Sequence, residues 1–462
     1  MADIFSKRFS TAPAVPAAQG EASAWRRALT LPSLPEAYRS IPISHNASWI
    51  RKILAFAGPG YLIAVGYMDP GNWATDIGGG SKFGYALLSV VLLSNLLAMF
   101  LQALSAKLGI ATGRDLAQAC RDHYSRRMSM FLWVACELAI AACDLAEVIG
   151  SAIALNLLLH IPLLWGVCLT SLDVLAILYL QHRGFRYLEI VVVALIGTIG
   201  ACYLLEILMV KPDFLGVARG FVPTPEIFLN PDMLYISIGI LGATVMPHNL
   251  YLHSSLVQTR VIERSAQGVH TALRYNFLDS FLALNFAFLI NAAILVMAAG
   301  TFYRHGMTHI AEIQDAYHTL SPLLGLPVAS GLFAIALLCS GQNSTLTGTL
   351  AGQVVMEGFL NIRLAPWLRR LVTRLLAIVP AIIAVAFYGA HGTAKLIVFS
   401  QVILSLQLSF AVFPLVKFTS DRTKMGEFVN PRWLKIVSWL VAWVILGLNA
   451  YLLILTFRGW SV

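Results

Sequence analysis

The stretch Tyr67–Asp76, which reads YMDPGNWATD, interrupts one of the most apolar parts of the chain. No charged residue occurs from Ile53 to Met68, and an acid, a proline, a glycine and an amide then follow in direct succession. Proline lacks a backbone N–H and blocks the helical hydrogen bond behind it, and glycine adopts conformations that other residues resist. The pattern predicts a break in a helix at the depth where that helix should be crossing a membrane.

The composition assigns the chain to the class of polytopic membrane proteins. Hydrophobic residues make up 58% of the 462 residues, charged residues only 12%, and the mean hydropathy is +0.74. A soluble protein carries about 25% charged residues, so a soluble globular fold is excluded. The formal net charge of +9 would also suit a nucleic-acid-binding protein, but the placement of the basic residues explains it otherwise.

Runs of about twenty apolar residues mark membrane-spanning helices, and the chain contains eleven of them. Their approximate ranges are 53–79, 84–111, 128–159, 163–180, 187–210, 232–258, 272–302, 322–357, 366–389, 394–416 and 434–457. The eighth range is too long for one straight helix. Residues 1–50 are rich in Ala, Ser and Pro, lack an apolar run of signal-peptide length, and predict a flexible cytoplasmic tail.

The basic residues lie mainly on one side of the predicted membrane. The side that holds the N-terminus carries 25 of the 32 lysines and arginines, and the opposite side carries 6. Because basic residues concentrate in cytoplasmic loops, we expect the N-terminus in the cytoplasm and, with an odd number of spans, the C-terminus outside. The basic charge therefore follows from the topology of a membrane protein, and no nucleic-acid partner is predicted.

A second interruption occurs in the sixth span, where GILGATVMPHNLYLHSS contains Pro247 and His248. Five spans separate the starts of the two broken helices, so the second unit enters the membrane from the opposite face. Two interrupted helices at matching places indicate an inverted-repeat transporter whose site lies at mid-membrane. The predicted organisation is one five-helix repeat over 51–230, a second over 231–417, and a cytoplasmic loop with an eleventh helix over 418–462.

The first break predicts a cation site. Carbonyl groups near Gly66 and Tyr67 lose their helical partners ahead of Pro70, and unpaired carbonyls in a membrane are tolerated only where they line a cavity or meet a ligand. With the carboxylate of Asp69 and the amide of Asn72 they form an oxygen-rich, negatively charged pocket. The alternative is a proline kink whose acid is paired with a basic residue, but the spans offer few cations for that pairing.

The second break adds a sulfur ligand. Met246 directly precedes the proline, and unwinding there frees carbonyls around Ala243. A methionine in an apolar helix is more often a packing residue. A thioether opposite an acidic break, however, favours Mn²⁺, Fe²⁺ and later transition metals over Mg²⁺ or Ca²⁺. The sequence therefore favours a divalent metal over Na⁺ or an amino acid.

Three motifs resemble the signatures of one known family of membrane transporters. DPGN at 69–72, MPH at 246–248 and GQNSTLTGTLAGQVVMEGF at 341–359 are similar, in order and spacing, to motifs of the natural resistance-associated macrophage protein (Nramp) family of divalent metal transporters. The likeness extends over residues 50–457. Within the family, the chain looks most similar to the proton-coupled manganese transporters of bacteria.

The resemblance implies an all-α polytopic membrane protein with eleven transmembrane helices: a LeuT-type inverted repeat (5+5) with helices 1 and 6 broken at mid-membrane, plus one extra C-terminal helix. It implies Mn²⁺ or Fe²⁺ as transported substrate, with Cd²⁺, Co²⁺ and Zn²⁺ as further candidates, no permanently bound cofactor and no enzymatic activity. The implied metal ligands are Asp69, Asn72, Met246, the backbone carbonyls of Gly66 and Ala243, and in some states Gln401. Taken alone, that glutamine would more simply make an interhelical hydrogen bond.

Three acids in the third span predict a proton path. Glu137, Asp144 and Glu147 lie within an arc of roughly 80° on one helix face, and acids inside a membrane are costly unless they are paired or relay protons. The resemblance implies that Asp144 and Glu147 carry protons away from the metal site with the help of Arg369 and Arg370. Without the resemblance, those arginines would be ordinary anchors at the cytoplasmic end of the ninth span.

Two histidines near the second break complete the predicted proton path. His248 and His253 titrate near neutral pH when unperturbed. They do not indicate a zinc protease, because HNLYLH at 248–253 has neither the spacing nor the glutamate of HExxH.

Two other functions fit parts of the sequence. A carrier of the same fold could transport Mg²⁺ or an organic solute, although a site for hard cations gains nothing from the sulfur of Met246. A metal-permeable channel or a metal-sensing receptor is the other alternative, although paired broken helices favour alternating access. The expected partners are a divalent metal ion, protons and membrane lipid, with no obligatory protein partner.

Overall fold

The structure is a computed structural model that describes residues 25–27, 32–43, 48–172, 184–310, 312–326, 328–362 and 393–457, with a few positions inside 363–392. Within these ranges the chain forms helices and no β-strand, and one isolated bridge joins Ile41 to Arg260.

In chain order, the first helices are α1 (Trp49–Phe56), α2 (Pro59–Val65), α3 (Pro70–Phe83), α4 (Leu88–Thr112), α5 (Leu116–His123), α6 (Arg126–Leu159), α7 (Leu163–Leu169), α8 (Phe185–Val210) and α9 (Phe214–Gly220). The others are α10 (Glu226–Leu229), α11 (Pro231–Thr244), α12 (Pro247–Leu256), α13 (Ala266–Thr301), α14 (Ile313–Leu324), α15 (Val328–Leu360), α16 (Thr393–Thr419), α17 (Arg422–Met425) and α18 (Arg432–Phe457). Short 3₁₀ turns follow α2, α7, α12, α13 and α17.

Seven helical segments in the described ranges are long and apolar enough to cross a membrane. They are α4, α6, α8, the pair α11–α12, α13, α16 and α18. The predicted fourth span is described only over residues 163–172, and most of the predicted ninth span lies outside the described residues. The total of eleven spans therefore stays a prediction.

Both predicted breaks are present. The first span ends as a helix at Val65, passes through a 3₁₀ turn and resumes at Pro70, while the sixth ends at Thr244 and resumes at Pro247. The first span contains a further interruption that the sequence analysis missed, at Gly58 between α1 and α2. Gly58 has φ of 145°, a backbone conformation that favours glycine.

The eighth predicted span divides, as its length required. Pro322 belongs to the separate helix α14, and Gly325 ends that helix in the left-handed conformation, with φ of 65°. The following helix α15 runs without interruption for 33 residues.

The broken helices lie at the centre of the helix packing. Helix α6 packs against α15 and α16 on one side, and α13 packs against α2, α3 and α4 on the other. The second halves of the broken spans, α3 and α12, lie between these groups, since α3 contacts α6, α13 and α16, and α12 contacts α4, α15 and α16. In its most apolar window the pair α11–α12 is 94% buried, against 28% for α18, so the broken span is shielded from lipid and α18 is peripheral.

Residues 25–27 and 32–43, which we call the N-terminal strap, belong to the tail that was predicted to be flexible, and they make specific contacts with the helices. Trp25 is buried, with Arg114 at 4.8 Å and Lys424 at 5.2 Å from its ring. The backbone N–H of Leu34 donates to Glu357 at 3.1 Å. A few large buried side chains are enough to hold this segment against the helices. A prediction from the average polarity of the segment does not detect them.

The end of the strap also pairs with the chain that follows α12. The N–H of Ile41 donates to the carbonyl of Thr259 at 3.1 Å, and the N–H of Val261 donates to the carbonyl of Ile41 at 2.9 Å. The strap thereby joins the sixth span to the end of α15.

Candidate metal site

The two mid-membrane breaks have the same local arrangement. Asp69 is the N-cap of α3, with Pro70 at the first helical position, and Met246 is the N-cap of α12, with Pro247 there. Proline suits that position because its missing N–H would have had no helical partner. The sequence stretches are DPGN and MPHN, so an asparagine also occupies the same position in both.

The two carbonyls predicted as ligands are released by these prolines. Gly66 and Ala243 each lie four residues before a proline, where the helical hydrogen bond has no donor. In the structure, the side-chain nitrogen Nδ2 of Asn72 lies 2.6 Å from Oδ1 of Asp69, 3.0 Å from the carbonyl oxygen of Ala243 and 3.5 Å from that of Gly66. Three predicted ligand oxygens thus converge on one point between the two broken helices.

This point is suited to positive charge. All three oxygens accept from the same partly positive amide nitrogen, and the second carboxylate oxygen of Asp69, which is fully buried, makes no hydrogen bond among the described residues. The C-terminal ends of α2 and α11 supply the carbonyls, and such helix ends carry partial negative charge. A cation at this point would meet a carboxylate and two carbonyls.

Two polar residues that the sequence analysis missed hold Asn72 in place. The side chain of Asn291 donates to Oδ1 of Asn72 at 3.2 Å and to the carbonyl of Tyr67 at 2.7 Å, and Thr244 lies 3.5 Å from the same Oδ1. The available signal was an asparagine in the middle of the seventh apolar span. Nothing in the sequence indicated which residue it would contact.

The sulfur of Met246 lies beside the converging oxygens. A Cβ added to Gly66 would meet Sδ of Met246 at 3.2 Å and the side chain of Asn249 at 2.2 Å, so only glycine fits at that position. Cys143 of α6 brings a second sulfur, whose Sγ is 4.0 Å from the methionine Sδ. The sequence analysis did not single out this cysteine, whose position beside the site depends on how α6 packs against the second break.

Gln401 lies against the first break without touching the converging oxygens. A Cβ on Gly71 would come within 2.1 Å of its Nε2, and one on Gly242 would come within 2.0 Å of its carbonyl oxygen. The amide donates to Ser400 at 3.0 Å, and its Oε1 has no hydrogen-bond partner among the described residues.

Two of the three third-span acids face α15 together. Glu147 accepts hydrogen bonds from Ser344 at 2.5 Å and from the thiol of Cys143 at 3.6 Å. A Cβ on Gly348 would lie 3.0 Å from Asp144 and 3.2 Å from Glu147, so this glycine makes room for both carboxylates. The thiol therefore connects the methionine of the candidate site to the acids.

The other residues of the predicted proton path are dispersed. Glu137 accepts from Trp133 at 2.9 Å on its own helix, and His248 is buried with no partner for its Nδ1 among the described residues. His253 lies 3.0 Å from Gln102, whose amide donates to the hydroxyl of Tyr67 at 2.8 Å. Arg369 and Arg370 lie outside the described residues.

A second polar cluster, also missed, surrounds the additional break at Gly58. Arg260 pairs with Glu189 at 2.7 Å, and Asp279 accepts from the backbone N–H groups of Gly58 and Gly60 at 3.2 and 2.7 Å. The signals were an acid in each of two apolar spans and the Gly-Pro-Gly stretch at 58–60. All three charged side chains are buried, so this cluster fixes where α1 meets α2.

No group of three or more His, Cys, Asp or Glu residues could hold a metal ion in the part of the chain that the structure describes. The candidate site has one carboxylate and depends otherwise on an amide, a thioether and carbonyls. This donor set suits an ion that binds and leaves.

Comparison with known proteins places the chain among membrane transporters. Residues 60–455 match the family model described as natural resistance-associated macrophage protein-like. The chain is 63% identical over 429 residues to the divalent metal cation transporter MntH of Nostoc sp. (strain PCC 7120), covering 93% of this chain and 97% of the relative. It is also similar to a crystal structure of the Eremococcus coleocola manganese transporter, with 41% identity, a TM-score of 0.85 and 93% of each chain covered.

A more distant likeness concerns the fold alone. The inward-facing structure of Mhp1 matches with 12% identity, a TM-score of 0.56 and 92% of each chain covered. The predicted fold class, an all-α polytopic membrane protein of the LeuT type, is confirmed.

Proposed function

Since the chain belongs to the natural resistance-associated macrophage protein-like (Nramp) family, we propose that it is a proton-coupled transporter that imports divalent transition metals, Mn²⁺ and also Fe²⁺, into the bacterial cytoplasm. The names of its relatives, a divalent metal cation transporter and a manganese transporter, support a metal as substrate. These names describe transport proteins and not enzymes. The metal is the transported substrate in this proposal, not a resident cofactor.

One observation carries the proposal, the convergence of Asp69, Ala243 and Gly66 on the amide nitrogen of Asn72. A rotation of that amide would turn its oxygen toward the same point, because the two amide atoms occupy nearly equivalent positions. A metal ion there would have a carboxylate, an amide oxygen and two carbonyls as ligands. Met246 would add a sulfur, and Gln401, whose amide lies against Gly71, would join the ligands in some states.

The ligand set supports a transition metal over a hard cation. Mg²⁺, Ca²⁺ and Mn²⁺ all accept oxygen ligands, whereas a thioether contributes to binding only for the softer ions. The site lies between the two broken helices and away from lipid, as expected for a substrate that crosses by alternating access.

Protons leave the site by way of α6 in this proposal. The thiol of Cys143 touches the methionine of the site and the carboxylate of Glu147, and Asp144 lies beside that carboxylate. A proton released when a metal arrives would meet these acids first. Glu137 lies nearer the start of α6, at the end that we assign to the cytoplasm, and Arg369 and Arg370 would help the proton to leave there.

The decisive experiment is Mn²⁺ uptake into proteoliposomes with and without an inwardly directed pH gradient. We expect the gradient to accelerate uptake and Mn²⁺ entry to acidify the lumen. Replacing Asp69 with asparagine keeps the shape of the side chain and removes the formal charge that it brings to the converging oxygens. Losing one partner of a buried ion pair costs about 3–5 kcal/mol, so Mn²⁺ affinity should fall by about two to four orders of magnitude.

Asp232→Asn is the matched control, because Asp232 is half exposed, pairs with Lys82 and lies outside the site. It should transport Mn²⁺ as the unmodified protein does. Near-normal Mn²⁺ uptake by the Asp69→Asn protein would overturn the assignment of Asp69 as a metal ligand. A channel would be identified if Mn²⁺ uptake did not respond to the pH gradient and stopped when the Mn²⁺ concentrations on the two sides of the membrane became equal.

A further inference from the structure

A basic cavity of about 490 Å³ lies at the beginning of α6, between the N-terminal strap and the end of α15. Arg27, Arg121 and Arg126 line it, and Asp122 is the one acid among its described lining residues. Both carboxylate oxygens of Asp122 are occupied, by Arg121 at 2.9 Å and by Arg114 at 3.1 Å. The acid is therefore neutralised, and the cavity keeps an excess of positive charge.

The opposite side of the cavity is apolar and continues onto the surface that faces lipid. Met130 and Trp133 line it, and the neighbouring Phe131 is 50% exposed on the same stretch of α6. A ligand that fits both sides has an anionic head and an apolar tail. The volume lies within the range of roughly 300–1,000 Å³ that is usual for ligand sites, and a lone phosphate ion would leave most of it unfilled.

We propose that this cavity binds the phosphate headgroup of an anionic phospholipid from the leaflet that faces the cytoplasm. The two exposed arginines, Arg27 and Arg126, hold the phosphate, and the acyl chains follow Met130 and Phe131 into the bilayer. Basic pockets between membrane helices on the cytoplasmic side bind such headgroups. Because Arg27 belongs to the strap and Arg126 begins α6, a bound lipid fastens the strap to the helix that carries the third-span acids.

The test compares lipids retained by the full-length protein in nanodiscs that contain phosphatidylglycerol and phosphatidylcholine, measured by native mass spectrometry. The double variant Arg27→Gln/Arg126→Gln should lose about tenfold of its preference for phosphatidylglycerol, since each basic residue near the surface contributes measurably to anionic lipid binding. Arg127→Gln is the matched control, because Arg127 is the next residue of the same helix and does not line the cavity. It should keep the preference within about twofold, as a non-lining charge contributes less.

A charge-preserving pair, Arg27→Lys/Arg126→Lys, should also retain phosphatidylglycerol, which separates a loss of charge from a folding defect. Equal retention of both lipids by the unmodified protein would overturn the proposal. The proposal would also be overturned if Arg127→Gln lost as much of the preference for phosphatidylglycerol as the double variant. That result would mean that anionic lipid is attracted by the basic surface in general and not by the cavity. Displacement of the lipid by millimolar inorganic phosphate would identify a soluble-anion site and refute the lipid assignment.

Discussion

In the proposed site, Met246 is the one soft ligand among oxygens, and its sulfur lies next to Gly66. Replacing it with alanine leaves the carboxylate and the carbonyls, so we expect substantial Mn²⁺ transport to persist. Ca²⁺ should compete in the variant where it did not before, and Cd²⁺ binding should weaken most. The substitution should reduce the preference for transition metals over Ca²⁺ by about 1–3 kcal/mol, by analogy with other single-contact specificity effects.

The measurement is Mn²⁺ uptake against a millimolar excess of Ca²⁺, with Met297→Ala as control for the loss of a buried methionine elsewhere. Equal Ca²⁺ competition in the unmodified protein and the Met246→Ala protein would reduce this methionine to a packing role.

Cys143 supports a separate prediction at the same scale. Its sulfur is 4.0 Å from that of Met246, so a soft ion such as Cd²⁺ in the proposed site would meet two sulfurs. Cys143→Ala should therefore relieve Cd²⁺ inhibition of Mn²⁺ uptake by about tenfold while leaving Mn²⁺ affinity nearly unchanged, because Mn²⁺ gains little from soft ligands. Cys202→Ala, which removes a buried cysteine of α8, should change neither quantity. Unaltered Cd²⁺ inhibition of the Cys143→Ala protein would exclude a role for the thiol.

At the level of single residues, the sequence predicted what local chemistry determines. The carbonyls of Gly66 and Ala243 could be named because a proline four residues later removes their donor, which is a property of neighbouring residues. Asn291 and Cys143 could not be named, because their roles depend on which helices pack together across long stretches of chain.

Among the elements, α6 carries the most testable assignment. Glu147→Gln keeps the hydrogen bond from Ser344 possible and removes the charge. Asp144→Asn removes the charge of the neighbouring carboxylate, which lies beside it near Gly348. We expect these variants to bind Mn²⁺ within about threefold of the unmodified protein, because both carboxylates lie near Gly348 of α15 and neither is a proposed metal ligand. Metal-linked acidification of the vesicle lumen should nevertheless fall by about tenfold or more, as is typical when a general acid or base is removed.

Lumenal pH during Mn²⁺ uptake, measured beside Mn²⁺ calorimetry, separates the two effects. Glu226→Gln, at an exposed site in α10, is the control. Undiminished acidification in both α6 variants would assign these acids a structural role.

The breaks show where sequence reasoning succeeds and fails for elements. Pro70 and Pro247 each begin the helix that follows a break, so the sequence predicted both interruptions. Gly-Pro-Gly at 58–60 was as explicit a signal, yet the apolar run around it favoured one continuous helix. The buried ion pair of Arg260 and Glu189 beside this break could not be predicted from the sequence, because the two residues lie 71 residues apart in the chain.

For the whole molecule, the N-terminal strap gives a prediction about coupling between distant parts. Trp25→Ala removes a buried indole that lies between two cationic side chains. Truncating a buried tryptophan costs about 3–5 kcal/mol, and the loss here should be local, since the helices keep their own packing. Residues 25–43 should then exchange amide hydrogens faster and be cleaved by trypsin at Arg39.

Trp49→Ala is the control, because Trp49 is the same residue type, is 67% exposed and lies just beyond the strap. Unchanged hydrogen exchange over residues 25–43 in the Trp25→Ala protein would mean that Trp25 does not anchor the strap.

The architecture was predictable as a whole because lipid imposes it. Apolar length predicted the seven spans that the structure describes, and two breaks at opposite orientations predicted a fold of the LeuT type. The strap was not predictable from the same rules, because it docks through isolated anchors such as Trp25 and Leu34 inside a polar segment. Hydropathy averages over windows longer than such anchors.

The short distances between the polar atoms of the candidate site also affect the rate at which ions would enter it. The oxygens surround Asn72 Nδ2 at 2.6–3.5 Å, and backbone atoms of Gly71 and Gly242 are pressed against Gln401. An ion must shed most of its water to fit, and Mg²⁺ exchanges its water reluctantly. Mg²⁺ should therefore be rejected by slow dehydration even in the Met246→Ala protein, where Ca²⁺ competes. Mg²⁺ competition as strong as that of Ca²⁺ in that variant would contradict this kinetic barrier.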